Sequence, residues 1–181
     1  AGDYWDAWGG AHERLKISNL FVHEIECECC IITTKIDSFF PNEAHQQAGI
    51  FLFDDLDKDN FIRITYKYRE KETEFPNTPW IQVIQMNNRK MTDLGGAHFL
   101  RVRLDKEPLP NSIGLKLEIA EDKIIISYNY DDKGFLYVFE LTPFLDINYV
   151  GLGAFKGNNS QAEIIPVRFD FIEVAGCDAE Y

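Results

Sequence analysis

Three glutamates at alternate positions, Glu24-Ile25-Glu26-Cys27-Glu28, make the pattern in this chain that looks most like catalysis. On an extended strand, alternate side chains share a face and step along it by about 6.6 Å. Retaining glycosidases need two carboxyl groups about 5–5.5 Å apart, one as nucleophile and one as acid. Glu24, Glu26 and Glu28 are therefore the catalytic candidates. The competing reading is a solvated acidic edge, which also discourages edge-to-edge pairing of sheets.

A second acidic group, Asp55-Leu56-Asp57-Lys58-Asp59-Asn60, begins like a calcium loop. A helix-flanked calcium loop wants glycine where Asn60 stands and an acid where Tyr66 stands, and neither is present. A hairpin turn accounts for it better, because Asp and Asn bond their own backbone in turns. Asp55, Asp57 and Asp59 stay as candidate ligands of a structural calcium, with Asp131 and Asp132 competing for that role. No other cofactor is expected.

The binding candidates are aromatic and planar polar residues. A sugar ring stacks its apolar C–H face on an aromatic and needs planar polar partners for its hydroxyls. Trp5 and Trp8 lie in Asp3-Tyr4-Trp5-Asp6-Ala7-Trp8-Gly9-Gly10, a loop or arm. Trp80 heads a strand in which Gln82 shares its face and Gln85 lies opposite. Arg63, Arg101 and Arg103 fall on the polar faces of other strands, where paired N–H donors suit hydroxyls or an acidic sugar. The tryptophans could equally plug one end of a sandwich, and the arginines could pair with the abundant carboxylates. His12, His23, His45 and His98 are scattered, so no Ser-His-Asp arrangement supports nucleophilic hydrolysis.

Cys27, Cys29 and Cys30 crowd together, and Cys177 stands alone near the end. Neighbours on one strand cannot easily bridge each other, and at most one of the three reaches Cys177. Cys-x-Cys-Cys also lacks the two-residue spacing and the His partner of zinc sites. Buried or partly exposed thiols are the expectation, which leaves a cytoplasmic setting open.

Strands and turns must position these groups. Strand-like runs occupy 15–17, 21–34, 48–53, 61–69, 81–86, 98–104, 113–120, 123–130, 135–141, 149–155 and 167–174. Turn residues separate them, as at Asp57–Asn60, Glu121-Asp122 and Asp131–Gly134. No window of about 11 residues shows a helical period. Thr142-Pro143-Phe144-Leu145 could form a single helical turn. In 61–69, Ile62, Ile64, Tyr66 and Tyr68 share a face, and Arg63, Thr65, Lys67 and Arg69 share the other. In 113–120, Ile113, Leu115, Leu117 and Ile119 form the core side. Fourteen Phe and eight Tyr against two Met fit pleated surfaces better than helices. An all-β, antiparallel two-sheet β-sandwich follows, each sheet with one polar side. One domain spans 1–181, with its core at about 15–175 and an N-terminal arm at 1–14.

The order of the pieces resembles a family. It is similar to the concanavalin A-like jelly-roll domains at the C-terminus of family 43 β-xylosidases, and to related domain-of-unknown-function proteins. The residues that carry the resemblance are Gln47-Ala48-Gly49-Ile50, Asp59-Asn60 and Phe61-Ile62-Arg63-Ile64. Downstream they are Leu100-Arg101-Val102-Arg103, Tyr128–Gly134, Val150-Gly151-Leu152-Gly153-Ala154 and Phe169-Asp170-Phe171. The chain departs at the longer stretch 71–79, and at Phe135, where members commonly have Trp. The retaining β-glucanases of this fold use Glu-x-Asp-x-Glu; here Glu26 replaces the Asp and no Trp precedes it.

The resemblance implies a concanavalin A-like jelly roll and a non-catalytic carbohydrate-binding or accessory module, within or beside a larger glycoside hydrolase. The alternatives are a glycoside hydrolase or polysaccharide lyase using the glutamate strand, and a structural or protein-interaction sandwich, which is favoured if the concave face is filled by its own side chains. The formal charge of −12 argues against nucleic acid and anionic lipid as partners. No run approaches the roughly 18 apolar residues of a helical membrane span. An extracellular or cell-surface location is expected.

Overall fold

The computed structural model describes residues 20–26, 28–42, 46–55, 60–67, 80–88, 90–91, 102–103, 110–120, 122–156 and 165–177. For Trp80, Lys90, Met91, Val102, Arg103 and Lys156 the description extends to the backbone. The N-terminal arm with Trp5 and Trp8, the run 15–17, Arg101, Asp57 and Asp59 lie outside these residues.

Every regular element described is a strand. In chain order they are β1 (Leu20–Glu24), β2 (Cys30–Asp37), β3 (Gln46–Phe53), β4 (Phe61–Lys67), β5 (Trp80–Asn87) and β6 (Lys90–Met91). Then come β7 (Val102–Arg103), β8 (Ser112–Ala120), β9 (Lys123–Tyr130), β10 (Leu136–Leu141), β11 (Tyr149–Lys156) and β12 (Arg168–Gly176). The first sheet runs β1-β11-β3-β4-β5-β6, with β7 also on β5, and the second runs β10-β9-β8-β2-β12. All pairings are antiparallel. This is the two-sheet jelly-roll sandwich expected from the strand spacing. The suggested helical turn does not form: Phe144-Leu145 is a bend.

Alternation builds the core between the sheets. Ile50, Leu52, Ile62, Ile64 and Tyr66 of the first sheet meet Ile32, Ile36, Leu115, Leu117, Ile124 and Ile126 of the second, all at most 1 % exposed. Burying a side chain of this size contributes about 1.5–3 kcal/mol. On the outer side of the second sheet, Lys116 and Glu118 are partly exposed and pair at 3.2 Å. The β9–β10 hairpin closes through Asp131 and Asp132, with φ of 50° and 55°. Lys133 N donates to Tyr130 O at 3.1 Å. Two positive φ angles at the centre of this turn match the strand twist, and Asp tolerates them; residues 133–135 complete the connection to β10.

Three expectations are corrected. The run 21–34 is not one strand. The chain leaves the first sheet after Glu24 and enters the second at Cys30, so the glutamate triplet spans a crossover. Ile25 is buried there, and its N–H donates to Asn148 O at 2.8 Å. The cysteines are not thiols. Cys29 is bonded to Cys177 with Cα atoms 5.5 Å apart, and Cys30 is disulfide-bonded too. The crossover brings Cys29 beside the end of β12, a proximity that spacing along one strand does not convey. Finally, the first sheet has no solvated side at its centre. Every residue of β3 and β4 is buried.

Candidate functional site

That doubly buried sheet carries the most distinctive chemistry among the described residues. The buried part of its inner face is apolar, apart from Gln46, Gln85 and the Tyr66 hydroxyl. Its outer face divides into an aromatic half and a polar half. Register orders it into cross-strand rows. One row aligns Tyr149, Phe53, Phe61 and Met86. The next aligns Gly151, Phe51, Arg63 and Ile84, and the third aligns Gly153, Gly49, Thr65 and Gln82. The last aligns Phe155, Gln47, Lys67, Trp80 and Arg103.

Glycines make the aromatic half possible. A Cβ on Gly153 would lie 2.9 Å from a Phe51 ring carbon, and one on Gly151 would lie 3.2 Å from a Phe53 ring carbon. The two rings therefore lean over bare backbone. They stack at 6.0 Å with 10° between planes, and Phe61 and Phe155 tilt against them at 6.1 and 5.6 Å. Gly49 answers a tighter demand. A Cβ there would meet Ile64 O at 2.0 Å, so β3 and β4 could not approach.

The polar half is a buried ladder. Thr65 Oγ1 donates to Gln47 Oε1 at 3.1 Å. Gln47 Nε2 and Gln82 Oε1 have no hydrogen-bond partner, although Gln47 is 0 % and Gln82 6 % exposed. Buried polar groups are almost always bonded, so two orphaned amide atoms one row apart demand a reason. Arg63 and Lys67 bring positive charge to the same face, and the Arg63 guanidinium lies 6.0 Å from the Phe155 ring centre. On the inner face, the Tyr66 hydroxyl and Gln85 Nε2 are also unpartnered. Burial pushes the Tyr66 phenol well above its ordinary range.

The sequence candidates sort as follows. Register places Arg63, Trp80, Gln82 and Arg103 on this one face. Arg63 is buried at its centre, not displayed in an open groove. Glu24, Glu26 and Glu28 are all exposed, and only Glu24 is on a strand, the edge strand β1. The strand geometry that would set carboxyl groups at glycosidase spacing is thus absent. Asp55 is exposed in the turn after β3, and its N–H bonds Asp54 Oδ1 at 2.8 Å. No group of three or more potential metal ligands occurs among the described residues. Sequence reading passed over Gln47, Thr65 and Lys67 as site residues. The signal was the shared alternation of 46–53 and 61–67, which sets them beside Gln82.

A separate cleft of about 600 Å³ opens at one end of the sandwich, lined by Glu28, Cys29, Ala120, Leu145, Asp146 and Asn148 among others. Asn148 is already committed: its Nδ2 donates to Asp54 O at 2.9 Å and its N–H to Phe53 O at 3.0 Å.

No protein-family model and no curated protein matches the sequence. Solved structures share the fold. A GH43 protein of Bacillus licheniformis, BlXynB, superposes with a TM-score of 0.69 at 21% identity, over 97% of this chain and 32% of that one. Xylan β-1,4-xylosidase of Bacillus halodurans gives 0.64 at 14% identity, over 87% and 30%. Sheep galectin-11, solved with glycerol, gives 0.54 at 8% identity, over 88% and 100%. The chain thus spans about a third of the two glycoside hydrolase chains and the whole of the galectin. The jelly roll implied by the sequence motifs is the fold these proteins have in common with it.

Proposed function

We propose that this chain is a non-catalytic carbohydrate-binding or accessory module, using the outer face of its first sheet. The observation that carries this reading is the juxtaposition there of an aromatic cluster with an amide ladder that holds two orphaned polar atoms. A sugar needs both halves. Its C–H face is matched by Phe51 and Phe155 and its hydroxyls by Gln47 Nε2 and Gln82 Oε1, but all four side chains are buried, so binding requires this face to be uncovered first. Affinity is modest, because much of the contact energy offsets ordering of ligand and face.

The fold neighbours add support at a coarser level. Two are glycoside hydrolases of which this chain matches a third, and one is a galectin. On that basis the module works within or beside a larger glycoside hydrolase, and xylan is the first polysaccharide to test. The disulfides at Cys29, Cys30 and Cys177 support an oxidising, extracellular or cell-surface setting. A hydrolase reading through Glu24, Glu26 and Glu28 has no comparable support, since Glu26 and Glu28 lie beyond the end of β1. Affinity electrophoresis on gels cast with plant and microbial polysaccharides is the test. Retardation on at least one glycan is expected, and it should shrink for Gln82→Met. Unchanged mobility on the whole panel overturns the proposal.

A further inference from the structure

The outer face of the second sheet is open where that of the first is covered. Register sets Tyr137, Ser127, Lys116 and Thr33 side by side on it, from β10, β9, β8 and β2 in turn. Tyr137 is 66 % exposed. The β9–β10 turn folds back over the same face, because Asp132 meets Lys35 of β2 at 2.8 Å. Phe135 follows that turn, with Lys116 Nζ over its ring at 5.5 Å, and it stays 39 % exposed. Asn129 stands two residues along β9 from Ser127, and its side chain lies over bare backbone. Its Oδ1 accepts from the Gly114 N–H at 2.9 Å, and a Cβ on Gly114 would lie 2.2 Å from that oxygen. That bond fixes the amide and leaves its Nδ2 donors to a ligand. Direct cross-strand partners stand about 5 Å apart, and alternate residues of one strand about 6.6 Å. Tyr137, Phe135 and Asn129 therefore surround Ser127 within reach of one sugar ring. The lysines beside them are paired, Lys35 with Asp132 and Lys116 with Glu118 at 3.2 Å.

We propose that this face carries a second glycan site, selective for neutral chains, an inference that rests on the carbohydrate-binding reading above but not on the face named there. The exposed rings of Tyr137 and Phe135 offer planes on which the C–H face of a sugar stacks. Asn129 Nδ2 donates to one of its hydroxyls. Phe171, the partner of Lys35 and 43 % exposed, lies on β12, four strand spacings or about 19 Å from Tyr137, so the face has the length of an oligosaccharide. An acidic sugar gains nothing here, because both lysines have their carboxylates and a chain of charge −12 repels it. A protein partner is matched less well. Interface cores favour apolar surface depleted of Lys and Glu, whereas Lys35, Lys116 and Glu118 lie among these rings.

Electrophoresis of the intact chain through gels cast with arabinoxylan, xyloglucan, mixed-linkage glucan or polygalacturonate tests the inference. Retardation is expected on at least one neutral gel and not on the acidic one. Tyr137→Ala and Phe135→Ala change exposed side chains, and each should weaken the retarding affinity about threefold to tenfold. Added to Gln82→Met, Tyr137→Ala should lower it further, because the two residues lie on opposite faces and their effects add. Retardation that survives Tyr137→Ala and Phe135→Ala unchanged overturns this site and leaves the carbohydrate reading to the first sheet. Retardation strongest on polygalacturonate overturns the selectivity for neutral chains. Self-association of the chain that Tyr137→Ala abolishes, without retardation on a glycan gel, gives the face to a second copy and overturns the proposal. A folded protein that no gel retards overturns both readings.

Discussion

A buried amide oxygen with no donor costs about 1–3 kcal/mol, because folding strips its water and returns nothing. Gln82 Oε1 is such an atom. Gln82→Met should therefore leave stability unchanged or raise it by about 1 kcal/mol, while lowering glycan affinity about tenfold; urea unfolding and titration of the same variant check both halves. A clear loss of stability would mean that the amide is used in folding. Tyr66 poses a related case without the function. Its hydroxyl is orphaned, and burial raises its pKa above the ordinary phenol value of 10. The folded state favours the neutral phenol, so this stabilisation is complete below pH 10 and is lost as pH rises through the elevated value. Tyr66→Phe should match wild type or exceed it by about 1 kcal/mol at pH 7, and unfold less readily than wild type in alkali, as read by circular dichroism against pH. The alternation of 61–67 already assigned Tyr66 to the core side. That its hydroxyl has no partner depends on what faces it from the second sheet, which no local pattern records.

Elements add constraints that single residues do not. Gly49 sits where β3 and β4 pass closest, with Ile64 O in the place of its missing Cβ. Gly49→Ala must push the strands apart and should cost about 3 kcal/mol or more in urea unfolding. If the loss is under about 1 kcal/mol, the ladder gives way more easily than this geometry implies. The Cys29–Cys177 bond ties the entry of β2 to the end of edge strand β12 across 148 residues of chain. Closing a loop that long restricts the unfolded chain by up to about 5 kcal/mol. A Cys29→Ser, Cys177→Ser double variant should lose about 2–5 kcal/mol, with the end of β12 exchanging its amides fastest; unchanged hydrogen exchange there would argue against the tie. Most strands were legible from alternation, Ile113 to Ile119 above all. The run 21–34 misled because its strand-like composition continues from β1 to β2, while the chain bends at Glu28-Cys29 and changes sheets. A crossover keeps strand-like composition, and only the pairing of β1 with β11 and of β2 with β8 and β12 separates its ends.

At the scale of the whole molecule, a formal charge of −12 repels itself more in the folded state than in the expanded one. The thermal midpoint should rise between about 20 and 150 mM salt, and scanning calorimetry should show the rise without added calcium. A flat response would place the carboxylates too far apart to interact. Against that acidic background, the cation-bearing face of the first sheet is a local reversal made by register, not by composition. Sequence alone determined the all-β class, the hairpins, the two-sheet sandwich and, in β4 and β8, the side that faces the core. Those depend on period, turn chemistry and aromatic content, which are local. Tertiary structure decided the rest: that the expected polar side of β4 is buried, that Gln47, Thr65, Lys67 and Gln82 meet, that the glutamates do not form a strand, and that Cys29 finds Cys177. Each of these depends on which segments lie side by side, and alternation tells a residue which way to point but not what it will find there.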